Sequence, residues 1–283
     1  MVISPISPSA AQSTDQTAAI RSVLLPNGVR LPFIEQGDPA GVPVIFLHGL
    51  SDSWRSWETV LPHLPESLHL FAPTQRGHGD ADRPDGYATD DFADDLMAFI
   101  DTLGIGPAVI VGHSWGSYTA QCFAMNHPER VLGLVLVGSV TTWRGNPVGH
   151  ELWESAFSTM TDPVDPEFVR AFQESPRLAP ERLAVIIAES LKAPARVWQA
   201  IWQEAMTTDI SADLHRIMAP TLIVWGDQDP LCPRHEQDAL LAAIADAQLE
   251  VYPGGGHNLH WEEPERFARD LAVFIAHLGG KGD

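Results

Sequence analysis

Residues 111–117 read VGHSWGS, so that Ser114 lies between Gly112 and Gly116 in the pattern Gly-x-Ser-x-Gly. The apolar run PAVIVGHS (107–114) predicts a strand, and WGSYTAQCFAMNHP predicts a helix that stops at Pro128. A serine on a tight strand-to-helix turn is typical of an exposed nucleophile. Glycines on either side fit such a turn, because two backbone segments approach closely there and leave no room for a Cβ. An ordinary turn serine has the same local sequence, so the rest of the chain must supply its chemical partners.

The rest of the chain alternates between strand-like and helix-like segments. SVLLPNGVRLPFIEQG predicts a hairpin turned at Asn27-Gly28, and short apolar runs at 42–49, 67–73, 133–139, 220–227 and 247–255 predict further strands. Helical patterns are found at 54–64, at 89–104 with Thr89 as the N-cap, and in two segments near the C-terminus. This alternation predicts an α/β fold with a mostly parallel central sheet and helices on both faces.

One segment, residues 143–215, departs from this rhythm. It has helical composition, no convincing strand and four tryptophans. We interpret it as a helical cap inserted into a core formed by residues 21–142 and 216–283. Residues 1–20, rich in Ser, Ala, Thr and Gln, are expected to form a flexible tail.

Composition excludes several classes of protein. The chain has 283 residues, 45% of them hydrophobic, which suits a soluble globular protein. Its formal net charge of −20 argues against binding to nucleic acid, whose phosphates such a surface repels. Two cysteines cannot form a disulfide scaffold, the first 19 residues lack the basic and apolar regions of a signal peptide, and no transmembrane helix is expected. We therefore expect a cytoplasmic protein that does not bind membranes.

Chemically active residues follow several of the predicted strands. Ser114 follows one of them, the pair Asp227 and Asp229 follows another, and His257 follows the last. In an open α/β sheet the carboxyl ends of parallel strands meet at one edge, so these groups are expected to converge. A serine hydroxyl needs a basic partner, and that base needs an orienting carboxylate. The chain order Ser, Asp, His is the one found in α/β-hydrolases.

Five motifs in order, FLHGL, QRGHGDADRP, VGHSWGS, WGDQDPLCP and GGGHNLHWEEPERF, give residues 22–279 a close resemblance to the α/β-hydrolase superfamily. The chain resembles its cap-bearing serine esterase and haloperoxidase-like branch. This resemblance implies an α/β-hydrolase fold with Ser114 as nucleophile, Asp229 rather than Asp227 as the acid, and His257 as the base. It also implies an oxyanion hole formed by the backbone N–H groups of Leu50 and Trp115.

Other residues of these motifs are expected to support the site. We interpret His260 as a flanking residue, and Arg76 and His78 as braces for the loop beside the oxyanion hole. Gln75 departs from the family, which often has aspartate there, and this change could alter the bracing. The predicted substrate pocket comprises His48, Trp143, Trp153, Phe157, Trp198 and Trp202.

The serine at position 114 also limits the classes of reaction that the protein can catalyse. Epoxide hydrolases and dehalogenases of this branch attack with a carboxylate, and 143–215 lacks the tyrosines that epoxide opening uses. We therefore predict a serine hydrolase that cleaves a carboxylic ester of a small, largely apolar molecule through an acyl-enzyme. Cleavage of a β-diketone C–C bond, lactone hydrolysis and perhydrolysis by the same triad stay open, as does a receptor role without turnover. No cofactor and no metal are expected, and the sequence leaves open a monomer or a homodimer.

Overall fold

A central eight-stranded sheet organises the chain. The computed structural model describes residues 19–175 and 177–279, and the predicted tail falls almost entirely outside this range. Within it, the strands are β1 (Ile20–Leu24), β2 (Arg30–Gly37), β3 (Pro43–Leu47), β4 (His69–Pro73), β5 (Ala108–His113), β6 (Val131–Val137), β7 (Thr221–Gly226) and β8 (Ala247–Tyr252). Their spatial order is β1-β2-β4-β3-β5-β6-β7-β8.

Only β2 runs against the direction of the other seven described strands. β1 pairs with β2, and β2 with β4, in antiparallel register, and the remaining pairs from β4 to β8 are parallel. The turn between β1 and β2 includes Gly28 at φ +87°, a conformation that glycine adopts without strain. The predicted hairpin and the mostly parallel sheet are confirmed.

Helices cover both faces of this sheet. They are α1 (Thr89–Leu103), α2 (Trp115–Asn126), α3 (Pro147–Ser155), α4 (Pro166–Phe172), α5 (Pro180–Ser190), α6 (Ala195–Thr207), α7 (Arg234–Ala243), α8 (Leu259–Glu262) and α9 (Pro264–Gly279). Alternate residues of β3 show the two layers. Ile45 and Leu47 pack with the core that includes α1 and α2, whereas Val44 and Phe46 pack with the core that includes α9. Because β3 is buried on both faces, its sequence is a continuous apolar run.

The segment between β6 and β7 holds the predicted insert and contains α3 to α6. It also contains two 3-10 helices, Phe157–Thr159 and Ser211–Arg216, the second of which ends one residue beyond the predicted bound of 215. Its interior is aromatic. The Phe157 ring lies 4.8 Å from that of Trp202 and 5.8 Å from that of Trp198, measured between centroids. These rings belong to the same apolar core as α1 and α2, so the insert is packed onto that side of the sheet.

Two local predictions are wrong. The stretch 54–64 forms two 3-10 helices, Trp54–Trp57 and Leu61–His63, instead of one α-helix, and Pro62 has no N–H to continue an α-helical ladder. Thr89 is the first residue of α1 and not its N-cap. Its N–H and hydroxyl both donate to Glu204 of the insert, while Asp91 accepts from the N–H of Ala88. In the described part of the chain, no helix is long and apolar enough to cross a membrane.

Candidate active site

Ser114 lies at a strained turn between β5 and α2. Its backbone has φ 51° and ψ −117°, a conformation that a non-glycine residue adopts only when the surroundings impose it. A Cβ on Gly112 would lie 2.3 Å from the carbonyl oxygen of Gly116, and one on Gly116 would lie 2.5 Å from that of His48. Both glycines of Gly-x-Ser-x-Gly are thus required sterically, and the turn presents Ser114 at the carboxyl end of the central strand.

Asp229 and His257 form a hydrogen-bonded pair beyond β7 and β8. His257 Nδ1 lies 2.8 Å from Oδ2 of Asp229, and Oδ1 accepts from the N–H groups of Leu231 and Cys232. Burial opposes the charge of Asp229, but the charge of His257 and these hydrogen bonds hold the pKa of the carboxyl below its usual value. Asp229 is therefore a fixed carboxylate that orients the imidazole through Nδ1.

Asp227, the alternative acid in the sequence, points elsewhere. Its Oδ1 accepts from the N–H of Gly254 and from Gln228, and the residue is exposed. This aspartate ties the turn after β7 to the turn after β8. It does not contact His257.

The loop after β3 lies beside Ser114 and is held from behind. His48 Nε2 accepts from the N–H of Gln75, the Gln75 side-chain amide donates to the His48 carbonyl, and His48 Nδ1 lies 2.8 Å from the Gly49 carbonyl. Burial keeps the pKa of His48 well below its usual range, so the ring is neutral and can accept. Gln75, the departure from the family pattern, thus braces this loop directly.

Two backbone donors, one in this loop and one at the turn, have no acceptor among the described residues. Trp115 is the first residue of α2, so its N–H has no partner within the helix. In residues 19–175 and 177–279, neither this N–H nor that of Leu50 donates to a protein atom. Such free donors can stabilise a negative oxygen that develops next to Ser114.

Arg76 and His78 support the structure around the same loop. Arg76 donates from Nε and Nη2 to the two carboxylate oxygens of Asp95 on α1, each at 2.6 Å. His78 is fully buried, and its Nδ1 lies 2.8 Å from the Arg76 carbonyl. Neither residue lines the cavity above Ser114.

A cavity of about 440 Å³ lies above Ser114. Its wall includes Ser114 and His257 themselves, although no hydrogen bond joins Ser114 Oγ to His257 in the described residues. Catalytic hydrogen bonds are often long until substrate binds. Apolar side chains form a large part of the wall, namely Leu50, Trp143, Ala171, Phe172, Trp202, Pro230 and Leu231.

The structure separates the predicted pocket residues into two groups. Trp143 and Trp202 line the cavity, and the Trp202 indole N–H is fixed by the Gly149 carbonyl. The other four residues do not line it. His48 is fully buried in the loop after β3, and Phe157 and Trp198 are fully buried in the apolar core. Trp153 is partly buried and packs against that core.

The insert also brings cations and anions to the cavity mouth. Of the arginines and the lysine between residues 143 and 215, namely Arg144, Arg170, Arg177, Arg182, Lys192 and Arg196, only Arg177 lines the cavity. Its guanidinium binds Glu262 at 2.6 Å and Glu263 at 3.1 Å, and it also donates to the Gly254 carbonyl. This positive charge is therefore largely compensated.

Sequence reasoning missed three contributors to the site. Asp52 and Gln173 are buried polar residues on the cavity wall, and Gly138 at φ +52° lets His257 approach, because a Cβ there would lie 3.0 Å from its Nδ1. The acid after HGLS was visible in the sequence. The sequence did not indicate that Gln173 lines the cavity, because its position depends on how the insert packs on the core.

Asp229, Cys232 and His257 are the described residues that could together hold a metal ion, with donor atoms within 4.8 Å of one another. Two of those atoms already bind each other, since His257 Nδ1 pairs with Asp229. Burial and the neighbouring Asp229 raise the pKa of the Cys232 thiol well above its usual value. A protonated thiol is a poor metal ligand, so the hydrogen-bonded pair fits this geometry better than a metal centre.

Comparison with known proteins identifies the family of the chain. The model of the Alpha/beta hydrolase family matches residues 44–270, and the chain belongs to that family. It is therefore a hydrolase of the α/β class, with the fold that its motifs imply.

Particular relatives differ in their substrates. The chain is 29% identical, over 88% of its length and 91% of the relative's, to 2-hydroxymuconate semialdehyde hydrolase of Pseudomonas sp. strain CF600. The crystal structure of esterase RhEst1 from Rhodococcus sp. ECU1013 is 26% identical with a TM-score of 0.80, covering 92% of this chain and 99% of that one. The enol-lactonase of Burkholderia xenovorans LB400, at 20% identity and a TM-score of 0.82 over 90% of this chain and all of that one, shares the fold.

Proposed function

We propose that the protein is a serine hydrolase that cleaves a carboxylic ester of a small, largely apolar molecule. The observation that carries this proposal is the convergence of three groups. Ser114 sits on its strained turn in the same cavity as His257, and His257 is held by the buried carboxylate of Asp229.

In the proposed mechanism, His257 Nε2 accepts the proton of Ser114 as Oγ attacks the ester carbonyl. Asp229 keeps the imidazole proton on Nδ1 and stabilises the ring once it is charged. The N–H groups of Leu50 and Trp115 bind the developing oxyanion, and each such donor is worth roughly 3–4 kcal/mol in comparable sites. The alcohol then leaves with the proton from His257, and water attacks the acyl-enzyme in the same way.

The helical insert serves as a cap in this proposal. It contributes Trp143, Phe172 and Trp202 to the wall facing Ser114, so apolar parts of a substrate can be buried there. A largely compensated Arg177 at the mouth favours a neutral substrate over an anionic one.

Hydrolysis of a C–C bond in a β-diketone is the second candidate. It is favoured by the relative from Pseudomonas, whose named substrate is a semialdehyde and not an ester. The same serine, histidine and oxyanion donors can serve that reaction, so the catalytic groups alone do not separate the two.

A substrate panel tests the choice. Purified protein is assayed with p-nitrophenyl and aryl esters, lactones and a β-diketone, and Ser114→Ala serves as the control. Ester turnover above all other classes, abolished in the variant, supports the proposal. Turnover of the β-diketone alone refutes it in favour of C–C cleavage, and a single burst without turnover points to a receptor.

A further inference from the structure

The cavity above Ser114 has a polar side that the proposed mechanism does not use. Asp52 comes from the loop after β3, two residues beyond Leu50, and Gln173 comes from the insert, directly after α4. Both line the cavity, yet their residues are only 2% and 3% exposed. Such buried polar groups beside a reacting centre are candidates for recognising a polar part of the substrate.

The contacts of this pair fix it in place. Gln173 Nε2 lies 2.9 Å from Asp52 Oδ1, and also 3.0 Å from Ser51 Oγ and 2.9 Å from Ser190 Oγ. Ser56 Oγ donates to Asp52 Oδ2 over a longer distance of 3.3 Å. The pair therefore links the core loop to the insert and holds both side chains against the cavity.

Hydrogen-bonding capacity is left over on both residues. A carboxyl group offers about four lone-pair positions, and the protein uses one contact to each oxygen of Asp52. In the described part of the chain, no group donates to Oε1 of Gln173, and this oxygen is not fully buried. A purely structural link would not need to face the cavity with unused acceptors.

The state of Asp52 fits a role in recognition. Burial raises its pKa to about 7, against the opposing effects of the Gln173 and Ser56 hydrogen bonds and of the charges of His257 and Arg182. Near neutral pH the carboxyl can therefore donate as well as accept. A buried group of this kind discriminates strongly, because a ligand that cannot bond to it leaves it without water or partner.

We propose that Asp52 and Gln173 form a polar subsite that hydrogen-bonds a hydroxyl group of the substrate. This inference rests on the proposed function, and it narrows the substrate class to oxygenated esters whose remaining surface is apolar. Asp52 and Gln173 act in it as specificity-determining residues, and the proton transfers stay with His257.

Matched pairs of esters test the subsite. Each pair compares a plain p-nitrophenyl or alkyl ester with the analogue that carries one hydroxyl group, on the acyl part in one arm and on the alcohol part in the other. We expect the wild-type protein to prefer the oxygenated member of at least one pair by about tenfold in kcat/KM. That ratio is expected to fall toward one in Asp52→Leu and in Gln173→Met.

The controls separate recognition from general damage. Gln203→Met makes the same side-chain change at an exposed site on α6 that does not line this cavity, and it should keep the wild-type ratio. Should Asp52→Leu fail to fold, Gln173→Met decides alone. No preference in any wild-type pair, or the same preference in the two subsite variants, overturns the inference.

Binding distinguishes this inference from the proposed function. The same pairs are titrated into Ser114→Ala, with and without Gln173→Met, by calorimetry. Tighter binding of the oxygenated member to Ser114→Ala, lost in the double variant, supports the subsite. It does so even if the wild-type protein turns over no ester, a result that would refute only the proposed ester cleavage. Equal binding of both members in Ser114→Ala overturns the subsite.

Discussion

The Nδ1 atom of His257 lies 2.8 Å from Oδ2 of Asp229, and the other oxygen of that carboxylate is held by two backbone N–H groups. Asp227, only two residues earlier, instead accepts from the N–H of Gly254 at 2.7 Å. Two aspartates in one short loop therefore have separate tasks, one orienting the imidazole and the other joining two turns.

Asp229→Asn should lower kcat by several orders of magnitude, because an amide at this position favours the wrong tautomer of His257. In another triad the equivalent change lowers kcat about 10⁴-fold. Asp227→Asn should change kcat far less, because its carboxylate is exposed and bonds only the turn. Steady-state kinetics on the best ester of the panel checks both, and a larger loss at Asp227 would contradict the assignment.

Much of this site could be predicted because local sequence determines it. Gly112 and Gly116 are needed where backbone segments touch, and Ser114, Asp229 and His257 each follow a buried strand whose apolar run is visible. The contacts of the insert could not be predicted in the same way. Trp198 and Trp202 are four residues apart on α6 and equally apolar, yet only Trp202 lines the cavity.

Substitution of a core tryptophan, Trp198, and of a cavity-lining tryptophan, Trp143, should have different effects. Trp198 is fully buried among the phenylalanines of the insert, and Trp198→Ala should cost about 3–5 kcal/mol of stability. The preference of the Trp198→Ala protein for acyl-chain length, measured well below its lowered Tm, should equal that of the wild-type protein. Trp143→Ala should instead enlarge the cavity and shift the preference toward longer or bulkier acyl groups. Thermal unfolding and a chain-length series measure both effects, and a shifted preference in Trp198→Ala alone would contradict the arrangement.

Neutral esters of increasing acyl length should be hydrolysed with rising kcat/KM until the cavity is full. Burial of one CH₂ is worth about 0.8 kcal/mol, which is roughly a fourfold rise per carbon. A matched ester with a carboxylate should react more slowly, because Glu174 and Glu262 also line the cavity and Arg177 is paired. A flat profile, or a preference for the anion that salt weakens, would refute the apolar pocket and give Arg177 a direct role in recognition.

Asp52 makes stability depend on pH in a defined direction. Its pKa rises from 3.8 in the unfolded chain to about 7 in the folded protein, so folding favours the protonated form. The stability that this proton provides is complete below about pH 4 and is lost as pH rises through 7. The total loss is at most about 4 kcal/mol, from 1.36 kcal/mol per pKa unit.

Asp52→Asn removes this titration while it keeps the shape of the side chain. The Tm of the variant should therefore rise relative to the wild-type Tm between pH 5 and pH 8, because only the wild-type protein must bury a charged carboxylate, and His257 and Arg182 offset that desolvation only in part. Calorimetry of both proteins across this range measures the difference. A constant difference in Tm would show that the carboxyl is ionised throughout, and it would remove the donor role from the proposed subsite.

Labelling of Ser114 tests the central claim most directly. Wild-type protein is treated with a serine-directed phosphonate, and the adduct is located by peptide mass spectrometry. We predict a single adduct on Ser114, parallel loss of ester turnover, and neither adduct nor turnover in a folded Ser114→Ala variant. An adduct on another residue, or ester turnover that persists in Ser114→Ala, would contradict the proposal that Ser114 is the nucleophile of this hydrolase.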